Sequence, residues 1–183
     1  MIVCYGAKLE PEFIKKVYSI CVDSFKWPEK GVNYLIASMA FETGETFNPA
    51  IQNASTKATG LIQFMPATLA PMKLTVDTIA QMTAIEQLDL VQKYFKPYAE
   101  KIRLNCELSS VYMAILYPKY IVAPGTQVVF DKDTKAYAQN KGLDLNADGV
   151  VTKDECASKV SARLTRGLSA NYMKAYNLVP KNG

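Results

Sequence analysis

Phe41-Glu42-Thr43-Gly44-Glu45-Thr46-Phe47-Asn48-Pro49, followed downstream by Gly60-Leu61-Ile62-Gln63-Phe64-Met65-Pro66-Ala67-Thr68, is the stretch on which the reading turns. The run from Val32 to Phe41 is apolar and ends on a single acid, Glu42. Gly31 to Glu42 is predicted as a helix with Leu35, Ile36, Met39 and Phe41 spread around it. A helix apolar nearly all round belongs at the centre of a domain. A carboxyl at its end stands in a partly apolar setting, the condition that keeps a carboxyl protonated near neutral pH. Gly44 to Thr59 reads as a polar loop, and Gly60 to Leu69 as a short helix closed by Pro71.

Working outward, Leu9 to Phe25 is predicted as a helix, with Pro11 in its first turn and Phe13, Ile14, Val17, Ile20 and Cys21 at helical spacing. Trp27-Pro28 breaks it. Thr83-Ala84-Ile85-Glu86 fits a capping box and opens a helix carrying Leu88, Val91, Tyr94 and Phe95. Ser109 or Ser110 is expected to cap an apolar helix that Pro118 stops. Val128-Val129-Phe130 can form a short extended piece, and a last helix is expected from Thr152 with Gly167 as its stop. The fold class is therefore mainly α.

The chain has 183 residues, 49% of them hydrophobic, which is enough to bury a core. No apolar run is long enough for stable membrane insertion. Met1 to Lys8 lacks a basic start followed by an apolar stretch, so no signal peptide is expected. The net charge of +4 is mild and fits an acidic polymer or an anionic cell surface. Lysines are scattered rather than striped, which argues against nucleic acid as a partner. Cys4, Cys21, Cys106 and Cys156 show no CxxC spacing and are expected to be reduced thiols. Histidine is absent, so a Ser-His or Cys-His nucleophile pair and a His-ligated zinc site are excluded. Carboxylates are left as the natural acid–base groups, which favours glycosidic chemistry.

Glu42, Phe47, Pro49, Gly60, Leu61, Gln63, Met65, Pro66 and Thr68 follow one another in an order and spacing that resemble the lytic transglycosylase and goose-type lysozyme superfamily. The resemblance covers residues 31 to 117. It implies a single lysozyme-like catalytic domain over residues 1–183 that cuts the β-1,4 bond between N-acetylmuramic acid and N-acetylglucosamine. Glu42 would be the general acid and base. Gln63 would orient substrate, Tyr112 would take the place of a cleft tyrosine, and Phe64 and Asn53 would be further substrate contacts. Asn53 lies in a loop, Asn53-Ala54-Ser55-Thr56-Lys57-Ala58-Thr59, that departs from the family's Ser-x-x-Gly-Ala. Glu45, three residues after Glu42, is either a solvated loop acid or a second carboxylate that positions water. The first implies an anhydro product and the second a hydrolytic muramidase.

Asp144-Leu145-Asn146-Ala147-Asp148-Gly149-Val150-Val151-Thr152-Lys153-Asp154-Glu155 matches the EF-hand calcium loop at every ligand position. Asp144, Asn146 and Asp148 would supply side chains, Val150 its carbonyl, Thr152 a direct or water-mediated contact and Glu155 the bidentate acid. Gly149 would make the sharp turn. Residues 133–165 are thus expected to form an EF-hand-like segment, holding Ca2+ as a structural staple, with no second loop to pair with. No organic cofactor is expected.

Small size resembles a bacteriophage endolysin, a monomer acting on peptidoglycan glycan strands. It would be held in the host cytoplasm and reach the cell wall once the inner membrane opens. A virion-borne or secreted lysin is the alternative setting. A non-catalytic glycan-binding module and a calcium-sensing interaction protein are the rival classes.

Overall fold

The computed structural model describes residues 1–180. Its elements in chain order begin with β1 (Ile2–Val3) and α1 (Pro11–Tyr18). Next comes α2 (Lys30–Glu42), then the short helices α3 (Pro66–Leu69) and α4 (Val76–Ala80). They are followed by α5 (Ala84–Phe95), α6 (Ala99–Leu104) and α7 (Leu108–Leu116). The last part holds β2 (Val128–Asp131), α8 (Lys135–Asn140), β3 (Val150–Thr152), α9 (Lys153–Gly167) and β4 (Lys174–Ala175). With 53% helix against 8% strand, the chain is mainly α.

Burial of α2 organises the rest. Val32, Leu35, Ile36, Ala37, Met39 and Ala40 are all inaccessible to solvent, so every face of the helix needs a covering partner. Helices α7 and α9 pack on α2 and on each other, and α1 packs on α2 and α5. Gly31 allows the close approach on the Trp27 side. A Cβ there would lie 3.1 Å from the Trp27 ring and 3.2 Å from Cys106 Sγ. One apolar cluster runs from Val3 to Val160 and includes residues of both the N-terminal strand and α9. The two ends of the chain meet in the antiparallel pair β1–β4, where the Met1 ammonium donates to the Tyr176 carbonyl. All four cysteines are buried free thiols.

The capping box forms as expected: Thr83 accepts from the Glu86 N–H while the Glu86 carboxylate accepts from the Thr83 N–H. Three expectations are corrected. The first helix does not run evenly to Phe25, because its α-helical part ends at Tyr18 and Ser19–Ser24 continue as a wider π-helical turn. That turn lets the Trp27 backbone N–H donate to the Cys21 carbonyl at 2.8 Å and brings the indole into the core. Residues 60–64 are a turn rather than a helix, since Gln63 adopts a left-handed backbone (φ 51°) and Thr59 pairs with Phe64. Only Pro66–Leu69 are helical in that stretch. Ser109 and Ser110 lie inside α7, not at its start. The Ser110 hydroxyl instead donates to the Ile121 carbonyl. Gly167 ends α9 as expected, though without a left-handed turn. Its value is space, as a Cβ would come within 2.5 Å of the Tyr5 ring.

In the C-terminal part β2 and β3 pair antiparallel, with an irregularity between Val128 and Phe130. The strand Val150–Thr152 within the calcium-type loop thus has β2 as its partner in place of a second loop. Among the described residues no helix is long and apolar enough to cross a membrane.

Candidate active site

Glu42 is the last residue of α2. Helix geometry carries it from the buried core to the rim, where it is partly exposed. Its carboxyl is nonetheless surrounded closely enough that burial pushes it up to about 7, opposed in part by a hydrogen bond from the Tyr112 hydroxyl. The physical cause is desolvation, which disfavours the charged form. Burial, and not a neighbouring carboxylate, is the cause of the shift.

Tyr112, on α7, is buried at 3% exposure with its ring edge-on to Phe41 at 5.6 Å. Burial and the nearby Glu42 charge hold its hydroxyl in the neutral, donating form. Tyr94, on α5, also feels the Glu42 charge, and its hydroxyl donates to the Ala114 carbonyl at 2.7 Å. Three helices, α2, α5 and α7, therefore supply one carboxyl and two tyrosines to one place. Tyr94 carried no motif; the only trace it leaves in the sequence is its position on the apolar face of α5.

Phe64 is buried and stands edge-on to Tyr94 at 6.0 Å, so it backs the tyrosine from within the core. Gln63, Met65, Thr68 and Ile115 join Phe64 and Tyr94 around a cavity of about 40 Å3. Met65 is 44% exposed, a large apolar side chain of this block that faces solvent. The Gln63 amide nitrogen donates to the Ile51 and Gly60 carbonyls, at 3.3 and 3.2 Å. Its donors are thus engaged in closing the turn. Asn53 lies farther along the loop, where its side-chain oxygen accepts from the Ser55 and Thr56 N–H groups. That is an Asx turn, which shapes the loop.

Two buried polar residues fix the loop against the helices. Thr43 donates to the Met39 carbonyl at 2.7 Å and accepts from the Phe47 N–H at 3.0 Å, which closes the end of α2. Gln87 on α5 is wholly buried; its amide donates to the Pro49 and Ile79 carbonyls and its oxygen accepts from the Leu61 N–H. Gly60 is required beside it: its φ is +85°, and a Cβ would lie 2.3 Å from the Gln87 Oε1. Nothing in the sequence marks Gln87 out from other polar residues of an amphipathic helix.

Glu45 is not a solvated loop acid. Its side chain is 12% exposed and pairs with Arg163 at 3.0 Å and Arg166 at 3.2 Å, both on α9.

No family model, curated protein or solved structure matches the chain.

The calcium-type loop joins α8 to α9. Asp144 Oδ2 accepts from the Tyr137 hydroxyl at 2.6 Å and the Gly149 N–H at 3.1 Å, while Asp144 Oδ1 is buried with no hydrogen-bond partner. A buried carboxylate oxygen without a partner is costly unless something positive reaches it. Asn146 accepts from the Asp148 N–H, and Asp148 accepts from the Val150 N–H. Gly149 makes the turn with φ +89°. Glu155 accepts from Leu145 and Thr152, so it closes the loop and caps α9 at once. Among the described residues no three acidic, histidine or cysteine side chains gather into a metal-holding group. The donor set is a mixed one, in which carboxylate, amide and carbonyl oxygens fit the hard-ligand preference of calcium.

A cavity of about 650 Å3 lies elsewhere, between α1 and residues 177–179, and shares no lining residue with the Glu42 site.

Proposed function

We propose that this protein is a peptidoglycan-cleaving glycosidase in which Glu42 is both acid and base. The observation that carries the reading is the Glu42 carboxyl at the end of a buried helix, pushed up to about 7 and bonded by Tyr112. A carboxyl of that kind is protonated in a useful fraction near neutral pH and ionised in the rest, as a group that must give and then take a proton requires.

In the proposed reaction the Glu42 proton passes to the bridging oxygen of N-acetylglucosamine as the bond from the muramic acid C1 to that oxygen breaks. The Glu42 carboxylate then accepts the proton of the 6-hydroxyl on the same muramic sugar. That oxygen bonds to C1 and closes a 1,6-anhydro ring. Glu42 ends protonated again and no water is consumed. Tyr112 donates to the carboxylate while it is charged, which limits how far burial can raise its affinity for the proton. The intramolecular nucleophile is favoured over water because Glu45, the nearest acid in sequence, is bound by two arginines. The family resemblance and the order of the Gly60–Thr68 block support the choice of substrate. A phage endolysin is the setting that the resemblance favours, with a virion-borne or secreted lysin as the alternative.

Turbidity of a peptidoglycan suspension tests the reading: wild type should clear it and Glu42→Gln should not, while still binding. Failure of the wild type to clear, with binding intact, would leave a glycan-binding module. Mass spectrometry of the released muropeptides separates the two chemistries, since the anhydro product is lighter by one water than the hydrolysed one.

We also propose that the Asp144–Glu155 loop holds Ca2+ through Asp144, Asn146, Asp148, Val150, Thr152 and Glu155. What supports this is the order of ligand types and the buried, unpartnered Asp144 Oδ1. The ion would neutralise that oxygen and tie α8 to α9. Calorimetric titration with calcium tests it, and Asp144→Ala should abolish the binding heat.

A further inference from the structure

The end of α2 does not run out into free chain. Thr43 N–H donates to the Met39 carbonyl, Gly44 N–H to Phe41 and Glu45 N–H to Ala40, the last at 2.6 Å. The backbone then turns left-handed at Gly44 (φ 57°), Glu45 (φ 66°) and Phe47 (φ 52°). Glycine tolerates this freely, but Glu45 and Phe47 do not, so the turn needs outside support. The support is visible. Arg163 and Arg166 hold the Glu45 carboxylate, and the Lys8 ammonium donates to the Glu45 carbonyl. Arg166 is itself steadied by the Tyr172 hydroxyl at 2.9 Å. The Tyr5 ring stands edge-on to Phe47 at 5.6 Å, its hydroxyl is held protonated by burial and the nearby Glu45 charge, and Arg163 Nε is buried in this cluster without a hydrogen-bond partner. Arg163 and Arg166 of α9, with Tyr5 of the N-terminal segment, are the charged and titratable groups that face the Glu45 carboxylate. Tyr112 of α7 and Tyr94 of α5 are those that face Glu42.

We propose that Glu45 is a positioning residue for Glu42: its pairing with Arg163 and Arg166 fastens the strained end of α2 to α9 and so fixes how deeply the Glu42 carboxyl sits. The inference deepens the glycosidase reading and rests on it. It assigns the second acid of the motif to geometry, not to chemistry. The Glu45 ion pairs lie at the rim, where single pairs are weak, but two arginines on one carboxylate in a largely buried setting form a network.

The test compares Glu45→Gln, the double variant Arg163→Gln/Arg166→Gln, and the triple variant. Loss of the clamp should lower kcat about tenfold with KM within about twofold, the size expected of a small displacement of a catalytic group. The triple variant should be no worse than either parent, because all three side chains act as one unit. Independently of activity, the Glu42 carboxyl followed by carbon-13 NMR should titrate nearer the ordinary carboxylate range in Glu45→Gln. Should that variant fold poorly, Arg166→Gln alone, at a half-exposed side chain, should shift the same signal in the same direction. An unchanged Glu42 titration in Glu45→Gln would overturn the inference. So would a loss beyond about a thousandfold confined to Glu45→Gln with the arginine double variant fully active, since that marks a second catalytic acid. If the wild type never clears peptidoglycan yet the Glu42 titration still moves, the glycosidase reading fails and the positioning role stands.

Discussion

Replacing Glu42 by Gln should make the protein more stable, by an amount that grows from about pH 4.5 and is complete above about pH 7. The Glu42 carboxyl has an ordinary value of 4.5 and is pushed up to about 7 in the folded chain. A carboxyl whose folded value lies above its unfolded one costs nothing below about 4.5, where both states are protonated. The cost grows as pH rises and is complete above about 7, where both states are ionised and the folded one holds the charge out of water. The difference between the two values corresponds to roughly 3 kcal/mol at 1.36 kcal/mol per pH unit. An amide of the same shape carries no charge at any pH and still accepts from Tyr112. Glu42→Gln should therefore match the wild type near pH 4.5 and exceed it by about 2–3 kcal/mol at pH 8.5, a rise in Tm of roughly 5–10 °C for a chain of this size. Calorimetry or urea unfolding at the two pH values reads this directly, alongside the turbidity assay in which the same variant is inert. An equal Tm change at both pH values, or a loss of stability at pH 8.5, would refute the claim that desolvation raises Glu42.

Gly60→Ala should destabilise the fold by at least about 2 kcal/mol, because the new methyl meets Gln87 Oε1 and the backbone there is left-handed; thermal unfolding checks it. Lys153→Met should cost about 2–3 kcal/mol, measured by urea unfolding, because the buried ammonium donates to Ser110 Oγ and to the Ile121 and Ala123 carbonyls. Saturating calcium should raise the Tm, by the equivalent of about 2.7 kcal/mol at one hundred times Kd, and chelation should reverse it; in Asp144→Ala neither addition should move the transition.

Local patterns made much of the fold legible. The Val32–Phe41 run names its own helix because eight of its ten residues are apolar and need burial on nearly all sides. The Thr83/Glu86 pair marks a helix start through two reciprocal hydrogen bonds that involve only neighbours in sequence. Gly60–Leu69 was illegible for the opposite reason: Leu61, Ile62 and Phe64 are buried, but the chain reaches the core as a turn held by Gln87 from another helix. The π-helical turn at Ser19–Ser24 likewise answers to the burial of Trp27, a demand that no local pattern carries.

The same division runs through the site. Residue order alone singled out Glu42 and the calcium-type loop, because a helix-terminal acid after an apolar run and an alternating series of oxygen donors are both written in consecutive residues. Depth, partnership and competition belonged to the tertiary structure. Only packing of α2 against α7 brings Tyr112 to Glu42, and only the descent of α9 past the end of α2 brings two arginines to the Glu45 carboxylate. The reason is physical: proton affinity depends on which groups and how much water surround a carboxyl, and chain segments far apart in sequence supply them.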